Sequence, residues 1–361
     1  MSEHEEENSS SNTVFVTGGT GFLGLHVCEY FRDEGWNVVA FDRVPFNEED
    51  DVRGIDYVKG DVRDEEAVRE AMATFDPDAV VHTAAALPLW DADTIREVTI
   101  DGTRSVLWAA KDHGIERVVY ISSTAVYGLH EEHPITEASP LDGVGPYGNA
   151  KIEAEKVCKD FRRMGMCVPI LRPKTFIGPQ RLGVFQVLFD WVETGANIPL
   201  VGWGNNKYQL MHVHDLVRAI ELVTTHDPDA VNDTFNVGAT EYATMKEDFQ
   251  ALLDHAGSGK RVVGTPSSLT VAVLRLLNRL NLSPLYPWIY ETAHHDSYVS
   301  VDKLRELGWE PEYSNTAALI DTYEWYLEHY EPRERSNTGL DHRVAWDQGA
   351  LGVVKQAFQA F

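Results

Sequence analysis

Short, fully apolar, β-branched runs alternate with helix-period stretches through residues 13–171, and this alternation constrains the fold more than any other feature. Val14-Phe15-Val16, Val38-Val39-Ala40-Phe41, Ala79-Val80-Val81, Val118-Val119-Tyr120-Ile121 and Val168-Pro169-Ile170-Leu171 read as strands buried on both faces. Residues 23–34, 65–74, 95–111 and 150–163 carry the apolar stripe of a helix with one covered face. Parallel strands need crossover connections, and helical crossovers cover the sheet. The pattern predicts an α/β fold with a doubly wound parallel sheet. Beyond it the chain is less regular. Pro and Gly cluster over 173–204, residues 213–224 read as a helix, and Phe235-Asn236-Val237 reads as a further strand. Helices are expected at 244–256, 267–280, 302–307 and 315–330. The helix over 269–280, broken by Arg275 and Arg279, is expected in the core, with a second reading as the flank of an apolar substrate.

With 361 residues the chain is long enough for about two domains and needs no disulfide to build a core. Cys28, Cys158 and Cys167 make no disulfide framework and suit a reducing, cytoplasmic setting. Residues 1–7 are acidic without an apolar core, so neither a secretory signal nor a transit peptide is expected, and no apolar run is long enough for a membrane span. Asp and Glu number 57 against 31 Lys and Arg, a net charge of −26 that repels phosphate backbones and argues against nucleic acid as a partner. The basic residues are 11 Lys and 20 Arg, and carboxylate excess with little lysine resembles proteins of salt-adapted cytosols. An ordinary acidic enzyme is the alternative.

Thr17-Gly18-Gly19-Thr20-Gly21-Phe22-Leu23-Gly24 follows the first strand and opens the first helix. Glycines at 18, 21 and 24 let the backbone and the helix N-terminus approach a pyrophosphate. Asp42 ends the next strand. A carboxylate there accepts from ribose hydroxyls and repels a 2′-phosphate, which favours NAD over NADP, although Arg43 beside it could accept that phosphate.

Further on, Tyr147 and Lys151 stand four apart, so on a helix both reach one ligand. A phenol is a poor base at neutral pH, and an adjacent ammonium stabilises its phenolate. Ser123 and Thr124 end a strand upstream and can position a substrate oxygen.

Over residues 13–330 these motifs resemble the extended short-chain dehydrogenase/reductase family, of the NAD-dependent epimerase/dehydratase type. The family's glycine loop is matched by Gly18, Gly21 and Gly24, its adenine-side acidic-hydrophobic pair by Asp61-Val62, and its His-x-Ala-Ala turn by His82-Thr83-Ala84-Ala85. A structural role is preferred for His82. The Asn usually found three residues before Gly-Thr is Thr99 here. The resemblance implies a Rossmann-type fold with Tyr147 as acid/base, Lys151 on the nicotinamide ribose, Ser123 orienting the substrate oxygen, and Phe22, Leu23, Ala84, Ala85 and the Pro173 backbone around the cofactor. It further implies a NAD-binding domain (13–175, with a segment returning near 209–240), while the polar, acidic, Ser-rich composition of residues 1–12 leads to the expectation of a disordered tail. A smaller, mostly C-terminal α/β substrate-binding domain (176–208 and 241–335) and an extension (336–361) complete the division.

Within the family, 4,6-dehydratases place an acidic residue just after the catalytic Ser or Thr, where this chain has Thr124-Ala125, so a dehydratase is not expected. Nucleotide-sugar epimerases often have Asn and Arg at the positions of Thr175 and Tyr208. Arg181, or else Lys174 or Lys207, could meet a diphosphate instead. The run from Gly204 to Asp215 is also similar to 3β-hydroxysteroid and dihydroflavonol-type dehydrogenases. The reading is a NAD-dependent epimerase of a nucleotide sugar. A dehydrogenase of a sugar or apolar alcohol is the alternative, and a non-catalytic dinucleotide-binding module follows behind. No metal site, no membrane partner and a homodimer are expected; His212/His214 and His294/His295 are not read as ligands.

Overall fold

Each inner strand sends alternate side chains to opposite faces of one sheet. Val14 and Val16 pack with one helix layer and Phe15 with the other; Val38 and Ala40 divide from Val39 and Phe41 in the same way. The computed structural model describes residues 11–280, 287–329, and positions 355, 358 and 359. The tail expected at 1–12 and the extension expected at 336–361 therefore lie almost wholly outside the described residues.

The first part of the chain runs β1 (Thr13–Thr17), α1 (Phe22–Asp33), β2 (Asn37–Asp42), β3 (Ile55–Lys59), α2 (Glu65–Phe75), β4 (Ala79–His82), α3 (Ala92–Arg96), α4 (Gly102–Asp112), β5 (Arg117–Ile121), α5 (Gly145–Arg163) and β6 (Ile170–Pro173). It continues through β7 (Thr175–Ile177), α6 (Phe185–Glu193), β8 (Ile198–Val201), β9 (Leu210–His212), α7 (Val213–Thr225), α8 (Pro228–Val231) and β10 (Thr234–Val237). The remaining elements are α9 (Met245–His255), β11 (Val262–Thr265), α10 (Ser267–Arg279), α11 (Pro287–Thr292), α12 (Asp302–Arg305) and α13 (Asn315–His329).

Seven strands form one all-parallel sheet in the order β10-β6-β5-β4-β1-β2-β3. The winding reverses direction between β1 and β4, so a crevice opens at their carboxyl ends. Helices α1 and α7 cover one face, and α2, α4 and α5 cover the other. Burying each large apolar side chain, such as Phe31 or Leu216, contributes about 1.5–3 kcal/mol. A second core gathers α6, β8, α9, β11 and α13 around Phe189, Leu200, Leu252 and Tyr323. Two small parallel pairs, β8 with β11 and β7 with β9, carry the chain over the carboxyl end of the sheet.

Four elements depart from the sequence reading. Strand β3 was not expected, because as an edge strand it is only half-covered and lacks a continuous apolar run. Helix α5 begins at Gly145, five residues before the expected 150, with Pro146 in its first turn where a missing N–H costs nothing. Between α3 and α4, Glu97–Asp101 winds as a π-helical turn, and the buried Thr99 hydroxyl there has no hydrogen-bond partner among the described residues. Helix α10 also differs from its expected place in the core: Leu269 is 63% exposed, and Val273, Leu276 and Leu280 lie open on the same stripe. Among the described residues no helix is long and apolar enough to cross a membrane. Near the C-terminus, Phe358 packs on Trp191 and Lys355 pairs with Asp190, both on α6.

Candidate active site

The glycine loop bridges β1 and α1 at the crevice. Gly18 has φ +70, a backbone conformation that disfavours a side chain, and its N–H donates to the Phe41 carbonyl (2.8 Å), tying the loop to β2. A Cβ on Gly24 would stand 2.0 Å from the Gly18 oxygen, so the helix can start this close only with glycine there. The first intrahelical bond runs from Leu25 N–H to Gly21 O (3.0 Å). The N–H groups before it have no acceptor within the helix and, with the helix dipole, give this end an affinity for anions. Gly18, Gly21, Phe22, Leu23 and Gly24 line a cleft of about 370 Å³.

Asp42 lines this cleft beside the glycine loop and accepts from the N–H groups of Thr20 (3.3 Å) and Val44 (3.2 Å). Arg43 sits 3.7 Å from Asp61 and over the Trp90 ring (5.5 Å), so its charge is already partly met by a carboxylate. Asp61, Val62, Ala84 and Ala85 complete the wall. His82 is a packed group: Thr103 donates to the Thr99 carbonyl (2.6 Å), leaving its oxygen to accept from His82 Nε2 (3.0 Å), while Thr17 donates to Nδ1 (2.6 Å). Burial, aided by the Lys151 charge, lowers its pKa to about 3, so the ring is neutral.

The early start of α5 brings Tyr147 into its first turn and Lys151 one turn further on. Lys151 is buried and donates to the Ile121 carbonyl (2.7 Å), with its Nζ 5.9 Å from the Tyr147 ring centre. Burial lowers the Lys151 pKa to about 8, against which Cys158 and Glu155 pull upward. Burial pushes the Tyr147 phenol up to about 12, with the Ser123 hydroxyl beside it acting in the opposite sense. Ser123 also accepts from Ala125 N–H (3.1 Å), which fixes its rotamer.

A second cavity, of about 360 Å³, adjoins the cleft and is lined by Ser123, Thr124, Pro173, Lys174, Thr175, Arg181 and Tyr208. Five residues line both spaces: Phe22, Pro88, Ser122, Tyr147 and Phe176. Phe22 and Phe176 stack (5.4 Å) between the two. Thr175 and Tyr208, far apart in sequence, share a hydrogen bond (3.0 Å). Arg181 is engaged elsewhere: its guanidinium makes two bonds to Asp50 (2.7 and 2.9 Å), and both side chains are buried. Pro173 lies on the second cavity and not on the cleft, and Lys207 is exposed outside both.

Motif reading missed Ser122 and the network behind it. Ser122 donates to Glu155 (2.7 Å), Glu155 holds Arg172 through two bonds (2.8 and 2.6 Å), and Arg172 donates to Tyr127, which donates to Asn236 (2.7 Å each). This buried chain braces the ends of β5, β6 and β10 beneath the site. The helix period of α5 places Glu155 one turn beyond Lys151, but only packing shows what it meets. His212 bonds Asp321 (3.0 Å) and stacks on Tyr313, and among the described residues no group of three or more His, Cys, Asp or Glu could hold a metal.

Residues 14–238 match the model of the NAD dependent epimerase/dehydratase family. The chain belongs to that family. Its cofactor is NAD, which fits a cleft lined by the glycine-loop helix end and by Asp42. Among its relatives is an uncharacterised protein, y4nG, of Sinorhizobium fredii (strain NBRC 101917 / NGR234), 37% identical over 352 residues, covering 96% of this chain and 86% of that protein. A UDP-glucose 4-epimerase of Rhizobium meliloti (strain 1021) is 27% identical over 341 residues, covering 88% and 97%. The crystal structure of a Thermotoga maritima UDP-glucose 4-epimerase with UDP-glucose shares the fold of this family member. It has a TM-score of 0.74 at 23% identity and covers 88% of this chain and 100% of that one.

Proposed function

We propose that the protein is an epimerase of a nucleotide sugar that inverts a carbinol centre through a keto intermediate, with Tyr147, Lys151 and Ser123 as its working groups. One observation carries this reading: Tyr147 lines both the cofactor cleft and the second cavity, so its phenol stands where a cofactor and a substrate would meet. Ser123 lines the second cavity and Lys151 the first, one on each side of it.

Bound in the cleft, NAD would accept a hydride from the carbinol carbon and return one to the carbonyl. The protein's part is to move a proton in step with that exchange. Tyr147 takes the hydroxyl proton during oxidation and gives one back during reduction. The Lys151 ammonium, fixed by the Ile121 carbonyl, favours the phenolate. Ser123 donates to the substrate oxygen as negative charge gathers on it. Thr124 and Ala125 supply no carboxylate for elimination of water, which favours epimerisation over dehydration. Inversion needs the keto sugar to present its other face, and the second cavity extends from Ser123 to Tyr208 and Thr175 to hold it.

The test is to incubate the NAD-loaded protein with candidate UDP-sugars and follow both sugars by chromatography and NADH by absorbance. Interconversion without stoichiometric NADH is expected. Steady NADH accumulation with a free sugar or hydrophobic alcohol, and no response to any nucleotide sugar, would replace this reading with a dehydrogenase.

A further inference from the structure

The described residues include four buried cations: Lys151, Arg172, Lys174 and Arg181. Arg172 is neutralised by Glu155 and Arg181 by Asp50. Lys151 feels Glu155 and belongs to the catalytic group. Lys174 alone is left without a carboxylate among the described residues.

Lys174 is 4% exposed and lines the second cavity immediately after Pro173. Its backbone N–H is held by the Val237 carbonyl (2.8 Å), so the side chain springs from a fixed point. Its Nζ donates to Ser297 Oγ (2.6 Å) and stands 4.8 Å from the Tyr208 ring centre. Ser297 is itself pinned on both sides, its N–H to the Lys207 carbonyl (2.8 Å) and its carbonyl from Gln209 N–H (3.0 Å). An ammonium has three donors and a full charge; a hydroxyl and a ring face satisfy only part of it. Burying such a charge is costly unless something neutralises it. Neither close neighbour, Ser297 or Tyr208, carries a negative charge.

We propose that Lys174 is the anion-recognition residue of the second cavity, receiving a carboxylate or phosphate oxygen of the substrate between Ser297 and the face of Tyr208. The assignment rests on the nucleotide-sugar reading and deepens it. The recognised anion is either the carboxylate of a sugar acid or the diphosphate bridge. Arg181 is excluded from that role by Asp50, and Lys207 by its position outside the cavity.

The experiment is calorimetric titration of the NAD-loaded protein and of its Lys174→Met and Lys174→Arg variants with UDP, UDP-glucose, UDP-glucuronate and glucuronate 1-phosphate. Lys174→Met should weaken binding roughly tenfold or more wherever the recognised anion is present, with NAD content unchanged, and Lys174→Arg should recover part of it. Loss confined to the two glucuronates identifies the sugar carboxylate; equal loss for all three UDP compounds identifies the diphosphate. Should the wild type bind glucuronate 1-phosphate but no UDP compound, the nucleotide reading fails while the Lys174→Met loss on that ligand still supports the lysine's role. Unchanged affinity in Lys174→Met for every ligand the wild type binds, or no binding of any of the four by the wild type, overturns the inference.

Discussion

The cofactor cleft and the substrate cavity meet at Tyr147 but are built in opposite ways. The cleft is assembled from short contiguous motifs, each at the carboxyl end of a strand: Gly18–Gly24 after β1, Asp42 and Arg43 after β2, Asp61-Val62 after β3, Ala84-Ala85 after β4. The cavity draws on residues separated by more than a hundred positions, such as Lys174 and Ser297. A parallel sheet delivers its strand ends to one edge by construction, so the cleft follows from winding. The cavity depends on how the chain crosses that edge, and its charges are set by whichever partners packing supplies.

Substitutions can break this contrast or sharpen it. Tyr147→Phe sits at the junction and should disturb neither space, so NAD binding should persist while turnover falls on the order of 10²–10⁴-fold. Steady-state rates beside a calorimetric NAD titration decide it; a variant with full activity would remove Tyr147 from the mechanism.

Arg181→Met tests whether a cavity wall residue is a strut. It would strand the buried Asp50 carboxylate, so denaturant unfolding should show a loss of about 3–5 kcal/mol. A stable variant with impaired substrate binding alone would return Arg181 to the ligand.

Asp42→Ala belongs wholly to the cleft. Calorimetry should show the NAD-over-NADP preference shrinking by about tenfold, the worth of roughly 1.4 kcal/mol, with no change in substrate binding by the NAD-saturated variant. If the preference is untouched, Arg43 and Asp61 govern the choice instead.

A last effect, of similar size, concerns the ligand-free protein. Burial lowers the Lys174 pKa to about 7, whereas in an unfolded chain it titrates near 10.4. Between these values the unfolded state binds more protons, so this group's destabilising contribution is complete below pH 7 and is relieved as pH rises toward 10. Lys174→Met should therefore raise the melting temperature at pH 7 by a few degrees, on the order expected for 1–2 kcal/mol, and the gain should fade by pH 10. A gain that does not depend on pH would show that packing, and not charge, is responsible.

Motif spacing also shows how far each region could be read. Gly18, Gly21, Gly24, Asp42, Asp61, Tyr147 and Lys151 were visible because each role demands a residue type at a fixed offset from a strand or helix end. The half-covered β3 and the three- and four-residue strands β7, β8, β9 and β11 were not, since they lack the fully apolar run inside a regular strand–helix alternation that made the equally short β4 and β6 legible. Helix α10 had the stripe of a core helix but turns Leu269, Val273 and Leu276 outward, because periodicity reveals that a face is apolar and not what lies against it.

By itself the sequence determined the α/β winding, the helix end at the glycine loop and the pairing of Tyr147 with Lys151, all of which follow from local periodicity and spacing. Only the tertiary structure decided that Arg181 is neutralised by Asp50, that Thr175 meets Tyr208, and that Lys174 is buried beside Ser297 with no carboxylate among the described residues. The physical reason is range: periodicity acts over a few residues, whereas the state of a buried charge depends on groups brought within a few ångströms from anywhere in the chain.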